Sequence, residues 1–274
     1  MNKTVRDILD IVLFAIMFIL IQLFFTYAMA AADNWLGGVP FNQALNDIAS
    51  GDQPKLVVAI SVLSSVLTLC LFIKLKWAPV SRHWLKTKPF GVLFWAALLA
   101  LGSILPSEWI VEQIQFTMPA ITEKLFEGVM KEPWGYLAIG LLAPLAEELV
   151  FRGAILRTLL KLIDSRWHWA AIAISAIIFG AVHGNLPQFV HASLIGLLLG
   201  WMYYRTGSIL PGVMFHWVNN TIAYVMFNIM PQMADGKLID IFHGDHKMMV
   251  LSIIFSLFIM IPSIVQLNYR MKKK

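Results

Sequence analysis

Residues 134–160 read WGYLAIGLLAPLAEELVFRGAILRTLL, an apolar run with Glu147, Glu148 and Arg152 near its middle. A bilayer-spanning helix needs about 20 apolar residues, and this run exceeds that. An ionisable group at the bilayer centre costs at least a few kcal/mol, so three within seven residues mark a candidate functional site. The rest of the chain fits a membrane setting. It has 274 residues, 59% apolar and only 14% charged, where a soluble domain carries roughly 25% charged residues. The mean hydropathy is +0.73. Too few polar groups exist to cover a water-facing surface, which excludes a soluble globular enzyme.

Working outward from this run, eight apolar segments are predicted: 8–30, 55–74, 89–107, 134–160, 168–186, 189–204, 209–229 and 248–268. The expected fold is all-α, a polytopic membrane helical bundle of about eight transmembrane helices forming a single membrane domain over 1–274. Repeats and soluble linkers are absent. The longest connections are 32–54, 106–133 and 230–247. With the N-terminus in the cytoplasm, fifteen lysines and arginines fall on the cytoplasmic side: Lys3, Arg6, Lys74, Lys76, Arg82, Lys86, Lys88, Arg157, Lys161, Arg166, Arg205, Arg270 and Lys272 to Lys274. Five fall opposite: Lys55, Lys124, Lys131, Lys237 and Lys247. By the positive-inside rule both termini are cytoplasmic. Lys3, Arg6, the apolar run and Ala28-Met29-Ala30 also resemble a cleavable signal peptide, but the run is longer than such a segment needs, which favours an uncleaved anchor.

The net charge of +5 is spread in short clusters between apolar runs, so nucleic acid is not an expected partner. Cys70 is the single cysteine, which leaves no disulfide and no cysteine-based zinc site. The 106–133 connection alternates Glu108, Glu112, Glu123, Glu127 and Glu132 with Trp109, Ile110, Ile114, Phe116, Ile121 and Phe126. Its spacing suits an amphipathic helix on the bilayer or a connector packed on the bundle.

Two further segments carry polar groups at depth. The fifth span ends Phe179-Gly180-Ala181-Val182-His183, and the seventh contains His216-Trp217-Val218-Asn219-Asn220. At about 1.5 Å per residue, Glu147 lies about 21 Å from Lys161, His183 about 22 Å from His168 and Asn220 about 20 Å from Gly207. His216 comes out at about 14 Å, one turn from Asn220 on the same face. Polar groups from three segments are thus expected at a similar level.

Glu148 and Arg152, four apart with the acid first, have the favourable geometry for a helix ion pair. Glu147 points about 100° away from that pair. A carboxylate beside an imidazole in a low-dielectric pocket can take a proton from water and return it to a leaving amine. His216 and Asn220 can donate hydrogen bonds to an oxyanion, and two histidines with a glutamate can equally hold a divalent metal such as zinc, through Glu147, His183 and His216. No H-E-x-x-H, G-x-S-x-G or Gly-rich phosphate loop occurs. His191, just past Pro187 and Gln188, reads as a packing residue at the edge of the cavity. His83 and His168 lie at cytoplasmic interfaces, where Trp167 and Trp169 read as headgroup anchors. His243 and His246 flank Gly244-Asp245 in a solvated loop.

The three patterns E-E-x-x-x-R, F-x-x-x-H and H-x-x-x-N, in that order on successive apolar helices, resemble the CPBP family of type II CAAX prenyl endopeptidases and bacteriocin-processing or Abi proteins. The resemblance covers roughly 134–229, a catalytic core within the membrane domain. It implies an intramembrane endopeptidase of the glutamate type, although the family is often labelled a metalloprotease. On this resemblance Glu147 with His183 activates water, His216 and Asn220 stabilise the oxyanion, and Glu148 and Arg152 hold the site together. Asn219 stands beside Asn220 as a second amide. The implied partners are the lipid bilayer and a membrane-associated peptide or protein substrate. The implied setting is the plasma membrane of a bacterium, where a signal-like or bacteriocin peptide suits better than a prenylated protein. Two readings from other classes stand beside it: a non-catalytic membrane scaffold or bacteriocin self-immunity protein, and a proton-coupled transporter, against which the lack of internal repeats counts.

Overall fold

The computed structural model describes residues 2–80, 84–115, 117–230 and 237–271; Arg82, His83, Phe116 and Lys272 to Lys274 lie outside the described residues. In chain order the helices are α1 (Lys3–Gly37), α2 (Phe41–Ala49), α3 (Pro54–Lys74), α4 (Phe90–Gln113), α5 (Ala120–Lys131), α6 (Ala143–Glu148), α7 (Arg157–Leu162), α8 (His168–Ala181), α9 (Leu186–Thr206), α10 (Leu210–Ile229), α11 (Leu238–Ile241) and α12 (His246–Arg270). No strand occurs among the described residues. Five of these helices, α1, α3, α4, α9 and α12, are long and apolar enough to cross a membrane. The chain forms two compact units, one of residues 1–79 and 118–162, the other of 80–117 and 163–274.

In the first unit, α1 is started by Asn2, whose side chain accepts from the Thr4 N–H, and stopped by Gly38 in the left-handed conformation. It runs unbroken through Ala28–Ala30. Phe14 packs against Phe72 and Trp77, with ring centroids 5.8 and 5.4 Å away. Further along, Phe18 meets the Phe151 ring edge-on at 5.3 Å. Ala30 and Ala44 are fully buried with Ile48 and Ile60, which fastens α1, α2 and α3 together. Outside the spans, Lys124 of α5 bonds Asp52 at 2.6 Å, and this bond together with that of Ser50 holds the Asp52 carboxyl below its ordinary range.

Residues 136–162 form one winding segment, with α6 and α7 following π-helical turns at Tyr136–Leu142 and Leu149–Leu156. A π turn bonds i to i+5, is rare, and recurs at functional sites.

In the second unit, α4 lies along α12, and α9 along α8 and α10. Gly102 makes the first contact possible: a Cβ there would sit 2.6 Å from the Met260 nitrogen and 2.9 Å from its Cα. At its C-terminal end, α12 is held by Arg205, which donates to the Met271 and Asn268 carbonyls at 2.7 and 2.8 Å.

Three sequence expectations change. The fifth segment was expected to be helical over 168–186, but α8 stops after 14 residues at Ala181, leaving His183 in a turn before α9. That turn is set by Gly184 at φ +70°, which an L side chain rarely adopts. The 106–133 connection is not one amphipathic helix. α4 continues past Pro106 to Gln113, and α5 is a separate helix from Ala120. Residues 32–54 and 230–247 each contain a short helix, α2 and α11.

Because backbone atoms of α12 occupy the space beside Gly102, Gly102→Ala should destabilise the protein by about 1–3 kcal/mol. Thermal unfolding in mild detergent reads this as a lowered midpoint, and an unchanged midpoint would show that α4 and α12 part freely there.

Candidate functional site

In the first unit, the motif glutamates divide as their helical spacing requires. Glu148 and Arg152 are both fully buried, and the Arg152 guanidinium donates to Glu148 Oε1 at 2.7 Å. Glu147, on the next residue, is only half-buried and lies within electrostatic reach of Arg152. Every residue from Glu148 to Leu156 is buried, so the pair belongs to a continuously buried stretch of the helix. A buried carboxylate and guanidinium offset each other's desolvation when they are paired in this way.

In the second unit, Phe179 organises two imidazoles. Its ring, 1% exposed, meets the His183 ring edge-on at 5.1 Å and the His216 ring edge-on at 5.9 Å. His183 is half-buried, and its Nδ1 donates to the Phe179 carbonyl at 2.9 Å. That bond fixes the proton on Nδ1 and leaves Nε2 as the acceptor nitrogen. Gly180 lets the last turn of α8 press against α9: a Cβ there would lie 2.6 Å from the Phe189 carbonyl and collide with Ser193 Oγ.

His216 is buried on α10, with Asn220 one turn further along the same face. The Asn219 amide donates to Asn220 Oδ1 at 3.5 Å, which turns the Asn220 oxygen toward its neighbour and its NH2 away.

Two residues of this unit were not assigned from sequence. Glu108 of α4 lies 3.5 Å from Nδ1 of His191 on α9, where His191 had been read as packing alone. The expected third span, 89–107, leaves Glu108 in the connection that follows it, whereas α4 carries it. Asn185 is the N-cap of α9. Its side chain accepts from the Gln188 N–H at 3.0 Å and donates to the His183 carbonyl at 3.1 Å. The signal for that cap was present, because Asn185 is followed two residues later by Pro187, a helix-start pattern.

Elsewhere, His168 stacks on Tyr204 at 4.2 Å and bonds the Ser165 carbonyl at 2.9 Å. Among the described residues, no group of three or more His, Cys, Asp or Glu side chains is arranged to hold a metal ion.

Residues 130–222 match the family described as type II CAAX prenyl endopeptidase Rce1-like. The chain is also 26% identical over 105 residues to the Bacillus subtilis (strain 168) protein named "Putative membrane peptidase YdiL". That alignment covers 38% of this chain and 42% of the relative, so the chain matches less than half of that protein's length. No solved structure matches the chain.

Removing one partner of a buried ion pair strands the other. Arg152→Ala should therefore cost about 3–5 kcal/mol, seen as a lower midpoint of unfolding in detergent. The double variant Glu148→Leu with Arg152→Met should recover most of that loss. Equal destabilisation by the single and double variants would mean that lost packing, rather than the stranded carboxylate, sets the cost.

Proposed function

We propose that this chain is an intramembrane endopeptidase that hydrolyses a peptide bond in a membrane-associated protein or peptide. The observation that carries the reading is the endopeptidase family match over 130–222, a range that contains Glu147, Glu148, Arg152, His183, His216 and Asn220 together. In the proposed reaction Glu147, assisted by His183, takes a proton from water as its oxygen attacks the scissile carbonyl carbon. The carbonyl opens to a tetrahedral oxyanion, which accepts hydrogen bonds from His216 and the Asn220 NH2. When the oxyanion collapses, the C–N bond breaks and the proton held by Glu147 passes to the departing amine. Glu148 and Arg152 take no part in the proton transfers; their ion pair fixes the helix that carries Glu147.

The apolar helices and the bacterial membrane-peptidase relative support a multi-pass setting in a bacterial plasma membrane. The fifteen-to-five partition of basic residues supports eight crossings with both termini cytoplasmic. The substrate fitting this setting is a signal-like or bacteriocin peptide.

Cleavage of fluorogenic membrane peptides by the purified protein in liposomes tests the chemistry. Glu147→Gln and His183→Ala should each slow cleavage by roughly 10²–10⁴-fold with unchanged unfolding midpoints, and a chelator should leave the wild type unaffected. Full activity in either variant overturns the assignment, and loss of activity with chelator replaces it with a metal-dependent one. Topology is tested separately in a Cys70→Ser background. Single cysteines at residues 3 and 270 should react with a membrane-impermeant maleimide only after the cells are opened. Labelling of either in intact cells would reverse the orientation.

A further inference from the structure

The Glu108–His191 contact is used by none of the steps above, yet it joins two apolar helices of the second unit. Glu108 is 48% exposed and His191 23%. A fully wet pair of this kind contributes little, but an imidazole set partly among apolar side chains needs a partner. His191 also lies within electrostatic reach of His183 and His216.

The contact has a mechanical continuation. His191 stands on the second turn of α9, three residues after Gln188. Gln188 is bonded to the cap residue Asn185 through its N–H and its side-chain oxygen, and Asn185 in turn donates to the His183 carbonyl. An unbroken series of contacts thus runs from α4 through Glu108 and His191 to the first turns of α9, and through Asn185 to the backbone of His183. The turn bearing His183 lies beyond the end of α8, where Gly184 adopts the left-handed conformation. Its position therefore depends on where the start of α9 is held.

We propose that Glu108 and His191 are positioning residues for His183: their contact fixes the first turns of α9 on α4, and the Asn185 cap transmits that position to His183. The consequence for catalysis rests on the role given to His183 above, whereas the positioning itself does not.

Two readouts on the full-length protein separate the two claims. With ¹⁵N-histidine labelling in detergent micelles, the His183 imidazole signal, assigned by its loss in His183→Ala, should shift or broaden in both Glu108→Gln and His191→Phe. His168, at the opposite end of α8, should be unmoved. Glu108→Gln is isosteric, and His191→Gln serves as a second probe should the phenylalanine variant fail to fold. In peptide cleavage, each variant should lower kcat by roughly 10- to 100-fold with KM unchanged, and the double variant should be no worse than either single one. A His183 signal unmoved by every variant overturns the positioning role, as do kcat losses that multiply in the double variant. If the wild type cleaves nothing, or Glu147→Gln keeps full activity, the proposed function fails while the His183 signal still decides the positioning.

Discussion

Glu148 and Arg152 lose all contact with solvent while standing 2.7 Å apart, and the helix around them is built to tolerate that. Isolated, either charge would carry a desolvation penalty of several kcal/mol. Paired, they cancel most of the field, but only at one rotation of the helix about its axis. Arg152 lies in the π turn from Leu149 to Leu156, one turn beyond Glu148, and Phe18 of α1 packs on Phe151 within that turn. Once Glu148 is committed to Arg152, the direction of Glu147 is fixed about 100° around the helix. The ion pair therefore does more for orientation than for net stability, since a well-packed apolar replacement can be equally stable.

The second unit solves a comparable problem with dipoles and rings in place of a salt bridge. His183 lies beyond the last turn of α8, where no helix fixes its side chain. Three separate constraints replace the helix: the Phe179 carbonyl on Nδ1, the Phe179 ring against the imidazole edge, and the Asn185 amide on the backbone carbonyl. The same phenyl ring faces His216 from α10. Phe179 is thus shared by two imidazoles on different elements. The phenylalanine of the F-x-x-x-H pattern consequently has a physical reason beyond filling space, since a smaller apolar residue would leave both rings without a wall.

Much of this was legible in the sequence because it depends on local spacing. Glu148 and Arg152 four apart, and His216 and Asn220 four apart, read correctly as pairs on one helical face. The boundaries of α3 and α10 also follow closely from apolar runs ending at Lys74 and beginning after Gly207. What failed was anything that required knowing whether a helix continues. The third apolar run reads as ending at residue 107, yet α4 continues to Gln113, carrying Glu108 to His191. Conversely, Ala181, Val182 and His183 look like uninterrupted helix, and only Gly184 in a left-handed conformation reveals the turn. The Glu108–His191 contact, between residues 83 apart in the chain, has no local signature.

The same physics explains why hydropathy identifies α1, α3, α4, α9 and α12 as crossing helices while the segments bearing the three motifs escape it. A helix that supplies charged or amide side chains to a buried site gives up the apolarity by which spans are recognised: α10 spends positions on His216, Asn219, Asn220 and Asn228. A segment that must bend to aim those side chains gives up regular length as well, as the π turns of 136–162 and the 14-residue α8 do. In a membrane such segments are tolerable only where neighbouring protein, rather than lipid, faces their polar groups. The five apolar helices can supply that shield, and the departures from apolarity and regularity fall on the segments that carry the motif residues.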